Sequence, residues 1–458
     1  MPFRFPALLS ALLLTLPGCT MIPSLPATDP SVADQYPGGS GGAADGARSA
    51  SEISWREFVR DPRLRRILDI ALTSNRDLRV AMLNVEESRA QYRVQRASDF
   101  PTLDADGSFS RQRNGRIIGN QFSANASVSY ELDLFGRVRS LNAQALENYL
   151  STAEASRGVR LSLTAEVITQ YFNWCQIQEQ LALANRTLAL VSESRSVTKS
   201  MVDAGGSNEL DLRSADAQVQ SARISIISYE RQGAQAENAL TLLAGQPLPA
   251  DLPARRALDS GALLTHLHAG LPSDLMLRRP DILEAEHTLR AANAAIGAAR
   301  AAFFPSLSLT GSAGSSSVEL NDLFGTNTGS WNFSPRLTVP IFSGGANKAS
   351  LDAAKVRTRT EVARYEKAIQ TAFREVADAL TANDSYRRQL EAQILLIEAQ
   401  QKRYDLAEAR YRQGLDTYLN VLSAQQDLYS SQQSLLQTRA DLLTNLTALY
   451  KALGGGWK

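Results

Sequence analysis

The chain has 458 residues, with 48 Lys plus Arg against 47 Asp plus Glu and a net charge of +1. Nothing global therefore draws it to nucleic acid or to an anionic surface. Aromatic residues are few (7%) and the long polar stretches are rich in Ala, Gln, Arg, Glu and Leu, which is coiled-coil-like usage. After the N-terminus no apolar run approaches the ~18 residues of a membrane-spanning helix, so if the chain spans a membrane it does so with strands.

Arg4 followed by the apolar run Ala7–Leu16 reads as a targeting segment too short to cross a bilayer. The run ends in LPGC, with Cys19 directly after Gly18. Small residues ahead of such a cysteine resemble a bacterial lipobox. The resemblance implies a signal peptide over 1–18, cleavage before Cys19 and lipidation of Cys19. Thr20 in the next position implies sorting to the outer membrane. Once Cys19 is lipidated, Cys175 has no disulfide partner and reads as a small buried residue. Residues 20–51 are rich in Pro, Gly, Ser and Ala, with PGGSGG at 37–42, and predict a flexible tether within an N-terminal region 19–55.

Leu64, Leu68, Leu72, Leu78, Met82 and Val85 recur at helical spacing and predict a helix that ends by Pro101. The period then changes to two. Leu103, Ala105, Gly107 and Phe109 alternate with polar residues. After a polar loop, RQRNGRIIGN, Phe122, Ala124, Ala126, Val128, Tyr130 and Leu132 alternate with Ser123, Asn125, Ser127, Ser129, Glu131 and Asp133. Two half-buried strands around a loop predict a hairpin. The pattern returns at Leu307, Leu309, Gly311 and Ala313, and at Trp331, Phe333, Pro335, Leu337, Val339 and Ile341. Each segment is about ten residues, the length of a tilted membrane strand. Four strands cannot close a barrel, and an open edge is not tolerated in lipid, so a membrane reading forces several copies to assemble.

Proline is absent from about 142–202 and 347–413, and both stretches have a helical pattern throughout, which predicts helices of roughly 90–100 Å. Gly205-Gly206 ends the first and Gly414 the second, each followed by a partner helix (209–244 and 417–453), so two long helical hairpins with glycine tips are expected. Leu210, Leu212, Val219, Leu419, Leu422 and Leu428 supply their apolar stripes. The chain repeats itself: FPTL at 100–103 and FPSL at 304–307, Phe135 and Phe342, Gly205 and Gly414. The spacing is far too long for a solenoid and predicts two copies of one large unit, 56–247 and 281–458, joined by a Pro-rich connector over 248–280.

Sites for chemistry are missing from the pattern. His266 and His268 have no Cys or carboxylate pattern beside them, and His287 reads as structural. There is no phosphate-binding loop and no nucleophile elbow. No enzyme, metal or cofactor is expected. Phe100, Phe303, Phe304, Phe135, Phe342 and Trp331 lie near strand ends, where a bilayer interface would fall. The water-facing wall is expected to carry Asp104, Asp106, Glu131 and Asp133 against Arg336, a mildly acidic lumen favouring cationic or neutral solutes.

RRPDILEAEHTLRAANAAIGAARAAFFPSLSLTGSAG at 278–314, YELDLFGR at 130–137 and YRQGLDTYLNVLSAQQDL at 411–428 resemble the signature of outer-membrane efflux channels, the TolC-like family in its NodT-type lipoprotein branch. The resemblance covers essentially the whole chain. It implies a mainly α chain that assembles as a homotrimer, with a twelve-stranded outer-membrane β-barrel continued by a long α-helical barrel. It implies a passive exit duct for drugs and small molecules, working with a periplasmic adaptor and an inner-membrane transporter of the proton-driven RND class. The alternative is an exit duct of a type I-like polypeptide secretion system. The family's adaptor-docking and gate tips match Val202, Gly205 and Gly206 in the first hairpin and Tyr411, Arg412, Gln413, Gly414 and Asp416 in the second. Val202 departs from the family's Tyr at that position. Some relatives carry gate carboxylates where Asn420 and Ser423 stand here; Asp416, Asp203 and Asp211 are the nearby acids that could serve instead.

Overall fold

The structure is a computed structural model describing residues 20–33, 35–36, 52–254, 257–265, 267, 275–276 and 278–455. The expectations for Cys19, the signal peptide, His266 and His268 fall outside the described residues. In chain order the main elements are α1 (Trp55–Phe58), α2 (Pro62–Ser74), α3 (Arg76–Arg96), β1 (Thr102–Asn114), β2 (Ile117–Leu132), α4 (Arg137–Asp203), α5 (Glu209–Ala244), α6 (Pro280–Ala301), β3 (Ser306–Ser317), β4 (Gly329–Thr338), α7 (Ala346–Arg412) and α8 (Tyr418–Ala452). The chain forms two compact units. One takes Met1–Asp29, Asn84–Ala153 and Glu284–Lys367; the other takes Pro30–Leu83, Glu154–Leu283 and Ala368–Lys458.

The first unit holds a single antiparallel sheet of order β1-β2-β3-β4. The two hairpins therefore sit side by side, and among the described residues the outer sides of β1 and β4 are left as edges. The strands outrun the expected alternation. The polar stretch 111–120, predicted as a loop, is mostly strand, and only Gly115 and Arg116 turn the chain between Asn114 and Ile117. Gly115 has φ +64, the left-handed backbone that the first central position of a two-residue hairpin turn requires. β4 stops at Thr338 rather than Ile341, and Pro340 follows. Pro335 is accommodated because β4 is an edge strand.

The second unit is helical and holds the main core. Trp55, Phe58, Leu64, Ile67, Leu68, Val167, Ile168, Tyr171, Phe172, Leu240, Leu443, Leu446 and Tyr450 are buried together. Phe58 stacks on Tyr450 at 4.0 Å. Leu258, Ala262 and Leu263 of the connector join this cluster, so part of the Pro-rich segment is core, not a free link. The predicted single N-terminal helix is broken at Asn75. Its carboxamide accepts the Leu78 N–H at 2.9 Å and donates to the Leu243 carbonyl at 2.9 Å, capping α3 and tying it to α5. α4 and α7 are each continuous over 67 residues, the same length in both halves of the chain.

The segment after Cys19 is not a free tether over its described residues. In the sheet unit Asn293 donates to the Pro23 carbonyl (2.7 Å) and Arg300 to that of Met21 (3.2 Å). In the helical unit Gln370 donates to the Pro30 carbonyl at 2.9 Å and Tyr36 stacks on Phe373 at 5.2 Å. Backbone carbonyls paired by helix side chains fix a chain that has no periodicity of its own.

Candidate functional site

Strand register sorts every sheet residue onto one of two faces. One face carries the cross-strand rows Thr102, Ser129, Thr310, Ser334; Asp104, Ser127, Ser312, Asn332; and Glu131, Ser308, Arg336. Hydroxyl pairs Thr102–Ser129 and Ser108–Ser123, each at 2.7 Å, tie it together. The opposite face carries the rows Leu103, Val128, Gly311, Phe333; Ala105, Ala126, Ala313, Trp331; and Leu309, Tyr130, Pro335. Trp331 is 81% and Leu103 72% exposed. An uncovered apolar sheet face opposite a mainly polar one is the arrangement of a wall between lipid and water.

The five expected lumen residues part company here. Asp104 and Asp106 lie exposed on the polar face, and neither forms an ion pair among the described residues. Glu131 is on that face but holds the Arg137 guanidinium with two bonds of 2.8 and 2.6 Å. Asp133 lies beyond the end of β2 and accepts from the backbone N–H of Val138 and Arg139 and from the Arg139 side chain. It caps α4, and its charge is spent on the strand-to-helix corner. Arg336 stands in the Glu131 row, on the other side of Ser308. Of the aromatic residues expected at an interface, Phe135 and Phe304 stack at 4.8 Å and Phe100, Phe303 and Phe342 are exposed. All five lie at the helix end of the strands. The aromatic pair at the far end, Phe109 and Phe122 at 4.7 Å, was not singled out by sequence, where both read as ordinary members of the alternation.

In the helical unit the two tips share one backbone solution. At the first, the N–H groups of Gly205 and Gly206 donate to the carbonyls of Val202 (2.9 Å) and Met201 (2.8 Å); at the second, those of Gly414 and Leu415 donate to Tyr411 (2.9 Å) and Arg410 (2.9 Å). Gly205 and Gly414 have φ +76 and +70. This is the paired 5→2 and 6→1 closure of a helix on a left-handed glycine.

The side chains behind the turns differ. Tyr411 is 5% exposed. It packs against Tyr418 with ring centroids 5.3 Å apart, and its hydroxyl lies 3.5 Å from that of Thr198 and 3.4 Å from that of Ser207. It joins the two tips and leaves contact with any partner to exposed neighbours. Arg412 pairs with Glu408 at 2.7 Å and lies 3.9 Å from Glu193. Gln413 is exposed and Val202 half-buried. Leu210, Leu415 and Leu419 are 62–74% exposed. Leu210 and Leu419, expected to pack in stripes, are therefore uncovered among the described residues, while Val219 and Leu428 are buried as expected.

Asp416 accepts from Asn420 (2.6 Å), the Thr417 N–H (2.8 Å) and Arg410 (3.2 Å). These donors, Asn420 first, hold its carboxyl below its ordinary value of 3.8. A lowered folded value means the stabilisation is present above the ordinary value and is lost only as pH falls through the lowered one. Asp203 is paired with Lys199 at 2.9 Å, and Asp211 accepts from Ser207 at 2.7 Å. Ser423 is bonded by Arg403, which also pairs with Asp427 at 2.5 Å; Arg403 and Asp427 were not expected. His287 hydrogen-bonds Glu147 at 2.6 Å in the sheet unit, a structural contact. Cys175 is buried. Among the described residues no cluster of His, Cys, Asp and Glu could hold a metal, and no helix is long and apolar enough to cross a membrane.

Comparison with known proteins agrees with this geometry. A family model described as "Outer membrane efflux protein" matches residues 67–246 and 271–455. The antibiotic efflux pump outer membrane protein ArpC of Pseudomonas putida is 47% identical, over 96% of this chain and 93% of that one. The solvent efflux pump outer membrane protein SrpC of the same species is 48% identical over 99% of both. Among solved structures, the open-state MtrE outer membrane channel of Neisseria gonorrhoeae superimposes with a TM-score of 0.88 at 40% identity, covering 96% of this chain and 99% of that one.

Proposed function

We propose that this chain, which belongs to the outer membrane efflux protein family, is the passive outer-membrane exit duct of a tripartite pump and carries drugs and other small molecules out of the cell. One observation carries the reading. A four-stranded sheet with one apolar and one polar face leaves both edge strands unpaired, and in lipid such edges must be closed by further copies. Three protomers give twelve strands and put the polar faces around a common lumen. The helical hairpins then line the periplasmic part of the duct, with the two tips offered to a periplasmic adaptor. An inner-membrane transporter of the proton-driven RND class supplies the energy, and lipid on Cys19 adds an anchor to the outer membrane. The names of ArpC and SrpC support small molecules as the cargo.

Deleting the gene in its host should sensitise cells to a panel of antibiotics, dyes and solvents, and the intact gene should restore tolerance. Unchanged tolerance with the partner pump expressed, together with a protein retained inside the cell, would replace this reading with polypeptide secretion.

The sheet also sharpens the expected lumen charge. Asp104→Asn with Asp106→Asn should lower the cation preference of single channels, seen as a shift in reversal potential under a salt gradient. Glu131→Gln should shift it far less, because its charge is already matched by Arg137. A double variant with an unaltered reversal potential would rule out selectivity by these two carboxylates.

A further inference from the structure

The lipid-facing side of the first hairpin does not end on its aromatic pair. β1 and β2 stay in register past Phe109 and Phe122, through Arg111 opposite Asn120 and Arg113 opposite Ile118, to the turn at Gly115 and Arg116. With a side-chain period of two, Arg111 and Arg113 share a face with Leu103, Ala105 and Phe109. The apolar stripe is thus followed on the same face by two guanidiniums, with a third in the turn. The opposite face of the same rungs is uncharged: Ser110, Gln112 and Gln121.

Position gives these arginines a meaning. Phe100 precedes β1 at the helix end, and Phe109 stands nine residues further on; Phe122 stands ten residues before Leu132. About nine to eleven tilted strand residues cross the hydrocarbon, with aromatic residues at both boundaries. Arg111, Arg113 and Arg116 therefore lie just past the boundary remote from the helices, at headgroup level in the outer leaflet. All three are exposed. Among the described residues none forms an ion pair, and Glu319 and Asp322 of the β3–β4 connection leave them unmatched. Arg113 commits only its Nε, to the Gly115 carbonyl at 3.0 Å. Ile118, 55% exposed in the same patch, adds an apolar contact between charged groups. Planar guanidinium forks match phosphate and carboxylate oxygens bidentately, and phosphate is the acceptor that membrane headgroups share.

We infer that Arg111, Arg113 and Arg116 form a phosphate-binding patch that seats a phosphorylated glycolipid of the outer leaflet against the rim of the channel. The inference rests on the outer-membrane reading above. Its test uses the full chain reconstituted in phosphatidylcholine vesicles doped with bisphosphorylated lipid A, beside the R111Q/R113Q/R116Q variant. Single-channel conductance first establishes insertion of each. After extraction of each protein into detergent and washing on a column, the wild-type chain should retain the glycolipid and the variant about tenfold less, the loss of about one charge-assisted contact. Lipid A stripped of phosphate should be retained equally, and weakly, by both. Equal retention of the phosphorylated lipid by two conducting proteins would overturn the inference and leave the duct standing. So would complete displacement by inorganic phosphate alone, which would mean that a free anion satisfies the patch. Failure of both proteins to insert would overturn the outer-membrane reading and this inference with it.

Discussion

Ala126→Arg should abolish assembly in the membrane, while Ser127→Arg, one residue along, should leave assembly intact and change only conduction. Ala126 lies in the row Ala105, Ala126, Ala313, Trp331 of the apolar face, between the Phe122 and Leu132 rows and hence near mid-membrane. An arginine on the lipid side at that depth costs about 2–4 kcal/mol. In the proposed trimer the three copies bring the penalty to about 6–12 kcal/mol, comparable with the whole stability of a folded domain. Ser127 belongs to the row Asp104, Ser127, Ser312, Asn332, where water would solvate the new charge. The measurement is the yield of trimers inserted into vesicles or recovered from outer membranes. Equal yields for the two variants would mean that the faces are not divided between lipid and water.

The second large effect belongs to the helical unit. Arg279→Met should destabilise it by about 1–3 kcal/mol, the usual cost of leaving a buried acceptor unsatisfied, since the two carboxylates left behind are 49% and 41% exposed and stay solvated. The Arg279 side chain is 7% exposed. It meets Asp281 with two bonds of 3.0 and 2.6 Å, Glu375 of α7 at 2.8 Å, and the Ala452 carbonyl of α8 at 2.8 Å. One guanidinium thus closes the end of α8 and joins it to α7 and the start of α6. Methionine fills much of the same volume but leaves the Ala452 carbonyl without this donor and two carboxylates facing each other. Glu375→Gln should cost much less, about 1 kcal/mol or below, because that carboxylate is 41% exposed. Amide exchange at the end of α8 in the intact channel reads the difference. Slow exchange retained in the methionine variant would show the cluster to be dispensable.

The parts of this molecule legible in sequence are those with a period. The two hairpins, the pair of long helices and the glycine tips all repeat locally, and each appears where alternation, a proline-free helical pattern or a left-handed turn requires it. What sequence hid depends on contacts across the chain. The break at Asn75 needs the Leu243 carbonyl, 168 positions away. The polar residues 111–120 interrupt the hydrophobic alternation, yet their backbones go on pairing across the hairpin. The docking of Met21, Pro23 and Pro30 rests on donors from Arg300, Asn293 and Gln370, which no local pattern announces. Glu131 and Asp133 were readable in part. Arg137 and Arg139 stand six residues on from each, across a strand-to-helix corner that brings them back alongside.

Pro335 has a consequence for how the ring comes apart. An edge-strand proline turns its missing donor away from its own ladder, so the deficit falls on the seam with the next copy. β4 is also the shortest strand, ten residues against thirteen in β1, which limits the length over which two copies can zip together. Each protomer thus arrives with its three internal ladders complete and meets its neighbours along a shorter, poorer join. The proposed trimer, under strain, would part at its three seams, not along all twelve strands.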